Sequence, residues 1–195
     1  REYIIPKPFD PRLISTIPVA VAKAAIESGV ATEHIEDWER YTEELSGRLG
    51  NSQKMVRLLH DRAKAAPKRL VFAEADQMDV LKAAQIVHEE GIAIPILLGN
   101  KATIDDLRAA INFDDEVEII DPKEEAHKAQ RDHYADLFWK DQRRKGYTLY
   151  DAQRLMRERN YYASMMIKNG DADAMISGYS RNYRSVVKPI LETIS

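Results

Sequence analysis

Beyond residue 66 the hydrophobic pattern switches repeatedly between a short apolar run and a helical period. Leu70 to Ala73 is apolar, and Val80, Leu81, Ala84, Val87 and His88 then share one helical face over 77–90, closed by Gly91. Ile92 to Leu98 is a second strand, in which Pro95 lacks a ladder donor and marks an irregularity. Thr103 with Asp106 caps the next helix, and Val117 to Ile120 gives a third strand. A helix over about 123–145 ends in Arg143, Arg144, Lys145 and Gly146, cations that suit the negative end of a helix dipole. A second helix starts at Thr148, with Asp151 three residues on. It carries Ala152, Leu155, Met156, Tyr162, Ala163 and Met166 as a core stripe. Asp173 to Ser177 is the fourth strand. Strands alternating with crossovers long enough for parallel pairing define an α/β fold with a layered parallel sheet.

The first 66 residues follow other patterns. Three prolines in "REYIIPKPFDPRL" predict an extended segment over 1–13. Pro18 follows Thr16 as the first residue of a helix whose face is Val21, Ala24, Ala25 and Ser28, stopped by Gly29. Residues 33–50 are highly charged and carry Gly47 and Gly50 at their end, which predicts a linker helix and a boundary near Gly50. The helix "QKMVRLLHDRAKA" follows and stops before Pro67. The chain opens on Arg1 and closes within the apolar pattern Val187, Ile190, Leu191, Ile194, which reads as a fragment.

Composition narrows the class. Charged residues make up 31% of the 195 and the net charge is -3, without the basic excess of a nucleic-acid binder. No apolar stretch approaches the ~20 residues of a membrane helix, and the opening residues do not show the basic segment and apolar core expected of a signal peptide. With no cysteine there is neither a disulfide framework nor a thiolate nucleophile, and the cytoplasm is the expected location.

Ligands of open parallel sheets bind beyond the carboxyl ends of the strands. The expected ends are Glu74-Ala75-Asp76, Gly99-Asn100, Asp121-Pro122 and Ser177-Gly178-Tyr179. The fourth is the candidate site. Gly178 permits close backbone approach, the following helix offers unpaired N–H groups, and Arg181, Arg184 and Lys188 add positive charge. Ser177, Gly178, Ser180, Arg181, Arg184 and Lys188 are therefore the expected effector or phosphate ligands, with Tyr179 and Tyr183 covering an adenine or pantetheine surface. Glu74 and Asp76 are expected to cap the following helix. With no GxGxxG or GxxxxGK[ST] motif, no nicotinamide or nucleoside triphosphate site is expected within these residues, and with no i, i+4 pair among the five histidines no metal site is expected.

Longer stretches carry a resemblance. Residues 2–32, "EYIIPKPFDPRLISTIPVAVAKAAIESGVAT", resemble the closing segment of the malic enzyme part of bacterial hybrid NADP-dependent malic enzymes. Residues 69–194, through "VFAEADQMDVLKAAQIVHEEGIAIPILLGN", "VEIIDP", "KGYTLYDAQRLM" and "NYYASMMIKNGDADAMISGYSRNYRSVVKPILETI", resemble the first part of a phosphate acetyltransferase domain. The resemblance implies 1–32 as a malic enzyme tail, 33–50 as a linker helix and 51–195 as the incomplete first lobe of a phosphate acetyltransferase-like (isocitrate/isopropylmalate dehydrogenase-like) fold.

It also implies a parent that oxidatively decarboxylates malate to pyruvate and carbon dioxide with NADP and Mg or Mn, both held upstream of this chain. Active acetyltransferases of the family have a Pro-Glu-Gly turn followed by an arginine where this chain has Ala73, Ala75 and Asp79. They have a small threonine-rich turn before Arg-Pro where it has Ser180 to Ser185 and then Lys188-Pro189. The expectation is a non-catalytic, homo-oligomeric module that senses acetyl-CoA for the attached malic enzyme domain, with no catalytic residue of its own. The alternatives are a working phosphate acetyltransferase, which needs both reactants held in near-attack geometry, and a purely structural oligomerisation domain.

Overall fold

The structure, a computed structural model, describes residues 13–48 and 51–194. The chain divides into two compact units, Arg1–Arg62 and Ala63–Ser195. Of the extended segment expected over 1–13 only Leu13 is described, and it opens a helix instead; the rest of that segment and the boundary at Gly50 lie outside the described residues.

In the first unit α1 (Leu13–Glu27) and α2 (Trp38–Gly47) pack together, with Leu45 buried and Lys23 Nζ 5.2 Å above the Trp38 ring. Pro18 lies inside α1, so it is not the first helical residue. Its ring removes only one intrahelical donor, and the apolar turn from Leu13 winds ahead of it. Gly29 follows at φ 73°, the left-handed conformation that ends a helix. The third helix, α3 (Asn51–Ala65), crosses the division between the units and stops before Pro67.

The second unit is built on four parallel strands, β1 (Lys68–Phe72), β2 (Ala93–Leu98), β3 (Glu118–Ile120) and β4 (Ala174–Ile176), in the order β3-β2-β1-β4. Residues alternate across this sheet with the two-residue period of a strand. Val71, Ala73, Ile96, Leu98 and Ile120 join one buried cluster with Tyr134, Phe138, Met156, Tyr162 and Met165. Phe72 and Leu97 face the other, with Leu81, Ala84, Ile104 and Phe113. The first cluster is closed by α6 (Lys128–Gln142), α7 (Leu149–Leu155) and α8 (Arg159–Asn169), and the second by α4 (Met78–Glu89) and α5 (Lys101–Ala110). The last helix, α9 (Tyr183–Ile194), packs on α8.

Three local expectations are corrected. The cap of α5 is Asn100, whose Oδ1 accepts from the Thr103 amide and hydroxyl, each at 3.0 Å; Asp106 has no part in it. The helix expected over 123–145 is framed by 3₁₀ turns, at Glu125–His127 and Arg143–Lys145. The long helix expected from Thr148 is two helices, α7 and α8, with a turn at 156–158. One straight helix over that span would run about 30 Å, far past the three-residue β4. The stripe nevertheless packs as expected, with Met156 and Tyr162 both fully buried. Thr148 and Asp151 form the reciprocal capping box that their spacing predicts. Pro95 sits in β2 without interrupting it, since β3 pairs only from Ile96 onward.

Candidate anion-binding site

Because all four strands are parallel, their carboxyl ends share one edge of the sheet. The register of β1 on β4 pairs Phe72 with Ile176, which brings residue 74 level with residue 178, each two residues beyond its strand. Glu74 is buried there, and its carboxylate reaches across to the turn after β4. Oε1 accepts from the Gly178 amide at 2.7 Å and the Tyr179 amide at 3.0 Å, and Oε2 from the Ser180 amide at 2.8 Å. The Ser180 hydroxyl also donates to Oε2. The Ser177 hydroxyl lies 3.4 Å from Oε1 and donates at 2.8 Å to Asn160 Oδ1. Gly178 stands at φ 104°, a conformation other residues rarely adopt, and this lets successive amides converge on one carboxylate.

This arrangement shows where the donors of the turn go and corrects the expected role of Glu74 and Asp76. Of the residues expected to hold a phosphate, Gly178 and Ser180 direct their donors to Glu74 and the Ser177 hydroxyl donates to Asn160. The Ser185 amide at the start of α9 is likewise taken, by Asn182 Oδ1 at 2.9 Å. Nor do Glu74 and Asp76 cap α4, whose N-cap is Gln77 with no side-chain bond. Burial alone pushes the Glu74 carboxyl up, but the Ser180 hydroxyl and the Gly178, Ser180 and Tyr179 amides outweigh it. The net effect holds the group below the usual carboxylate range.

Asp76 is paired instead with Arg159 at the head of α8, at 2.7 Å from Nη1 to Oδ1 and 2.5 Å from Nη2 to Oδ2. This two-pronged contact raises the Arg159 guanidinium above its ordinary value against the opposing effect of burial. The pair ties the β1 turn to α8 much as Glu74 ties it to the β4 turn.

Between these anchors lies a cavity of about 250 Å³, lined among others by Glu74, Arg159, Asn160, Arg181, Arg184 and Lys188. Glu74 and Arg159 are already satisfied. Lys188 Nζ is 3.7 Å from Glu192 Oε1. Arg181 and Arg184 have no carboxylate within 4.0 Å among the described residues. The three expected cations are thus brought to one crevice, two of them unneutralised. Tyr179 and Tyr183 do not line it: the Tyr179 hydroxyl donates to Asp79 at 2.5 Å, and Tyr183 is 80% exposed. Arg159 and Asn160 were missed in the sequence. Both lie some twenty residues upstream of the turn, and only the packing of α8 on α9 carries them to it.

Among the described residues no group of three or more His, Asp or Glu is placed to hold a metal ion, and no helix is long and apolar enough to cross a membrane.

Comparison with known proteins places this geometry in a family. The chain belongs to the phosphate acetyl/butaryl transferase family, which matches residues 54–195. It is 36% identical over 99% of its length to an NADP-dependent malic enzyme of Rhizobium meliloti, of which it covers 26%. It is 32% identical over 72% of its length to a phosphate acetyltransferase of Thermoanaerobacterium thermosaccharolyticum, of which it covers 42%. The fold matches the crystal structure of a phosphotransacetylase from Streptococcus pyogenes with a TM-score of 0.66 at 27% identity, over 74% of this chain and 43% of that one. The chain spans about a quarter of the length of the malic enzymes it matches.

Proposed function

We propose that this chain is the acetyltransferase-like module of an NADP-dependent malic enzyme, and that its crevice binds the phosphate end of an acyl-CoA effector without transferring an acetyl group. The observation that carries the reading is the pair Arg181 and Arg184, without carboxylate partners among the described residues, over a cavity at the carboxyl edge of the sheet. Guanidinium groups match phosphate oxygens in geometry as well as charge. The cavity, at about 250 Å³, is smaller than the ~300–1,000 Å³ typical of whole ligands, so it suits one end of such a molecule. The likeness to malic enzymes over nearly the whole chain, against 72% for a phosphate acetyltransferase, supports a composite parent. In that parent NADP and the divalent metal belong to the malic enzyme part, and acetyl-CoA acts through this module. Assembly as a homo-oligomer in the cytoplasm belongs to the same reading.

An effector shifts turnover only if it binds two states of the enzyme unequally. The test is steady-state malate oxidation by the full-length protein, wild type and Arg181→Ala, with and without acetyl-CoA. Inhibition in the wild type and none in the variant, at equal basal rates, is the expected result. Equal inhibition in both removes the crevice from the effector site. The likeness to solved phosphotransacetylases favours a second reading, that of a working phosphate acetyltransferase. Formation of acetyl-CoA from acetyl phosphate by the same preparation would establish it in place of the first.

A further inference from the structure

A second cavity, of about 410 Å³, opens between the start of α6 and the α7–α8 turn. It shares no lining residue with the first, although the segment 153–161 borders both: Leu155, Glu158 and Arg159 line one, and Gln153, Arg154 and Arg157 the other. Lys128, Arg131, Arg154 and Arg157 supply four cations to it, against a single acid, Asp132. Two of the four are partly neutralised, Lys128 by Glu125 at 3.7 Å and Arg154 by Asp151 at 3.9 Å.

Arg131 is the informative one. It is 5% exposed, yet among the described residues its hydrogen bonds go only to the carbonyl oxygens of Pro122 at 2.7 Å and Glu124 at 3.1 Å. No carboxylate lies within 4.0 Å of it among the described residues. A buried charge that meets only neutral acceptors is costly unless a counter-charge completes it. The neutral acceptors fix the guanidinium in place while leaving its net charge to the cavity. Arg157, exposed and without a carboxylate partner among the described residues, adds a second unneutralised cation, and Tyr150, 73% exposed, offers a ring at the rim. The volume lies within the range of metabolite-sized sites, ~300–1,000 Å³.

We propose that this cavity binds a phosphorylated small metabolite, its phosphate against Arg131 and Arg157 and its organic part toward Tyr150. The site is separate from the crevice at Arg181 and does not depend on the reading given to that crevice.

The test uses the full-length protein with inorganic pyrophosphate as probe, because Arg131 also holds the turn after β3 and its removal endangers the fold. Phenylglyoxal modification of arginines, followed peptide by peptide, should slow at Arg154 and Arg157 when pyrophosphate is present. Calorimetric titration of Arg157→Gln should show affinity for this site reduced by about tenfold or more, the worth of one charge-assisted contact, while Arg181→Ala retains it. Unchanged modification rates at Arg154 and Arg157, or an Arg157→Gln variant that titrates as the wild type does, would overturn the proposal. Protection confined to Arg181 and Arg184 would do the same while leaving the first crevice intact.

Discussion

Glu74 fills the place that its turn would otherwise offer to a bound anion. Replacing it with alanine leaves three amides and a hydroxyl without their acceptor, and each such buried group costs ~1–3 kcal/mol. A loss of stability of at least ~2 kcal/mol is expected in urea denaturation. Because the folded carboxyl titrates below its unfolded value, its contribution is present above the unfolded value near ~4.3. It is lost as pH falls through the lower folded value. Glu74→Gln should therefore show a flatter fall in stability than the wild type below about pH 4. At the neighbouring anchor, Arg159→Lys keeps the charge but cannot form the two-pronged contact with Asp76. It should lose ~1.5–3 kcal/mol by the same measurement. The acidic pair at 74 and 76 was visible in the sequence, but its partners were not. Helix capping is a local bond, whereas these carboxylates bond to residues 83 to 106 positions away.

Among the elements, strands were the most legible, because short apolar runs bounded by turn residues leave few alternatives. All four appear within two residues of where the pattern puts them, and their parallel pairing follows from the long crossovers. Helix ends were less legible. Asn100 competes with Thr103 for the same cap, and both side chains are chemically suited, so only backbone geometry chooses. The break between α7 and α8 has neither glycine nor proline to announce it. Layer packing gives the element-scale prediction. Leu81 is fully buried under the sheet on the α4 side, so Leu81→Ala should cost ~2–5 kcal/mol in equilibrium unfolding. Gly178→Ala meets nothing closer than Val186 Cγ2 at 3.8 Å, so its penalty comes from φ rather than crowding. A loss of ~1–2 kcal/mol is expected, accompanied by weaker phosphate binding if the turn shifts.

For the whole molecule the net charge of -3 hides a local reversal, since cations gather at both cavities of an otherwise acidic chain. Phosphate binding to the native state should raise the melting temperature of the full-length protein, by linkage. The rise should shrink as sodium chloride is added, because the exposed guanidinium groups are screened. Arg181→Ala/Arg184→Ala combined with Arg157→Gln should remove it, and thermal melts across a phosphate series check this directly. The crossing of Glu74 to the turn at 178–180 has one more consequence, in time rather than space. It joins positions 104 to 106 residues apart, and so cannot form until β4 has found β1 and the whole intervening stretch has been laid down. Contacts of such long span close late in folding. The crevice bordered by Glu74 is therefore expected among the last features that a newly made chain completes, taking its final shape only when everything between the two turns is in place.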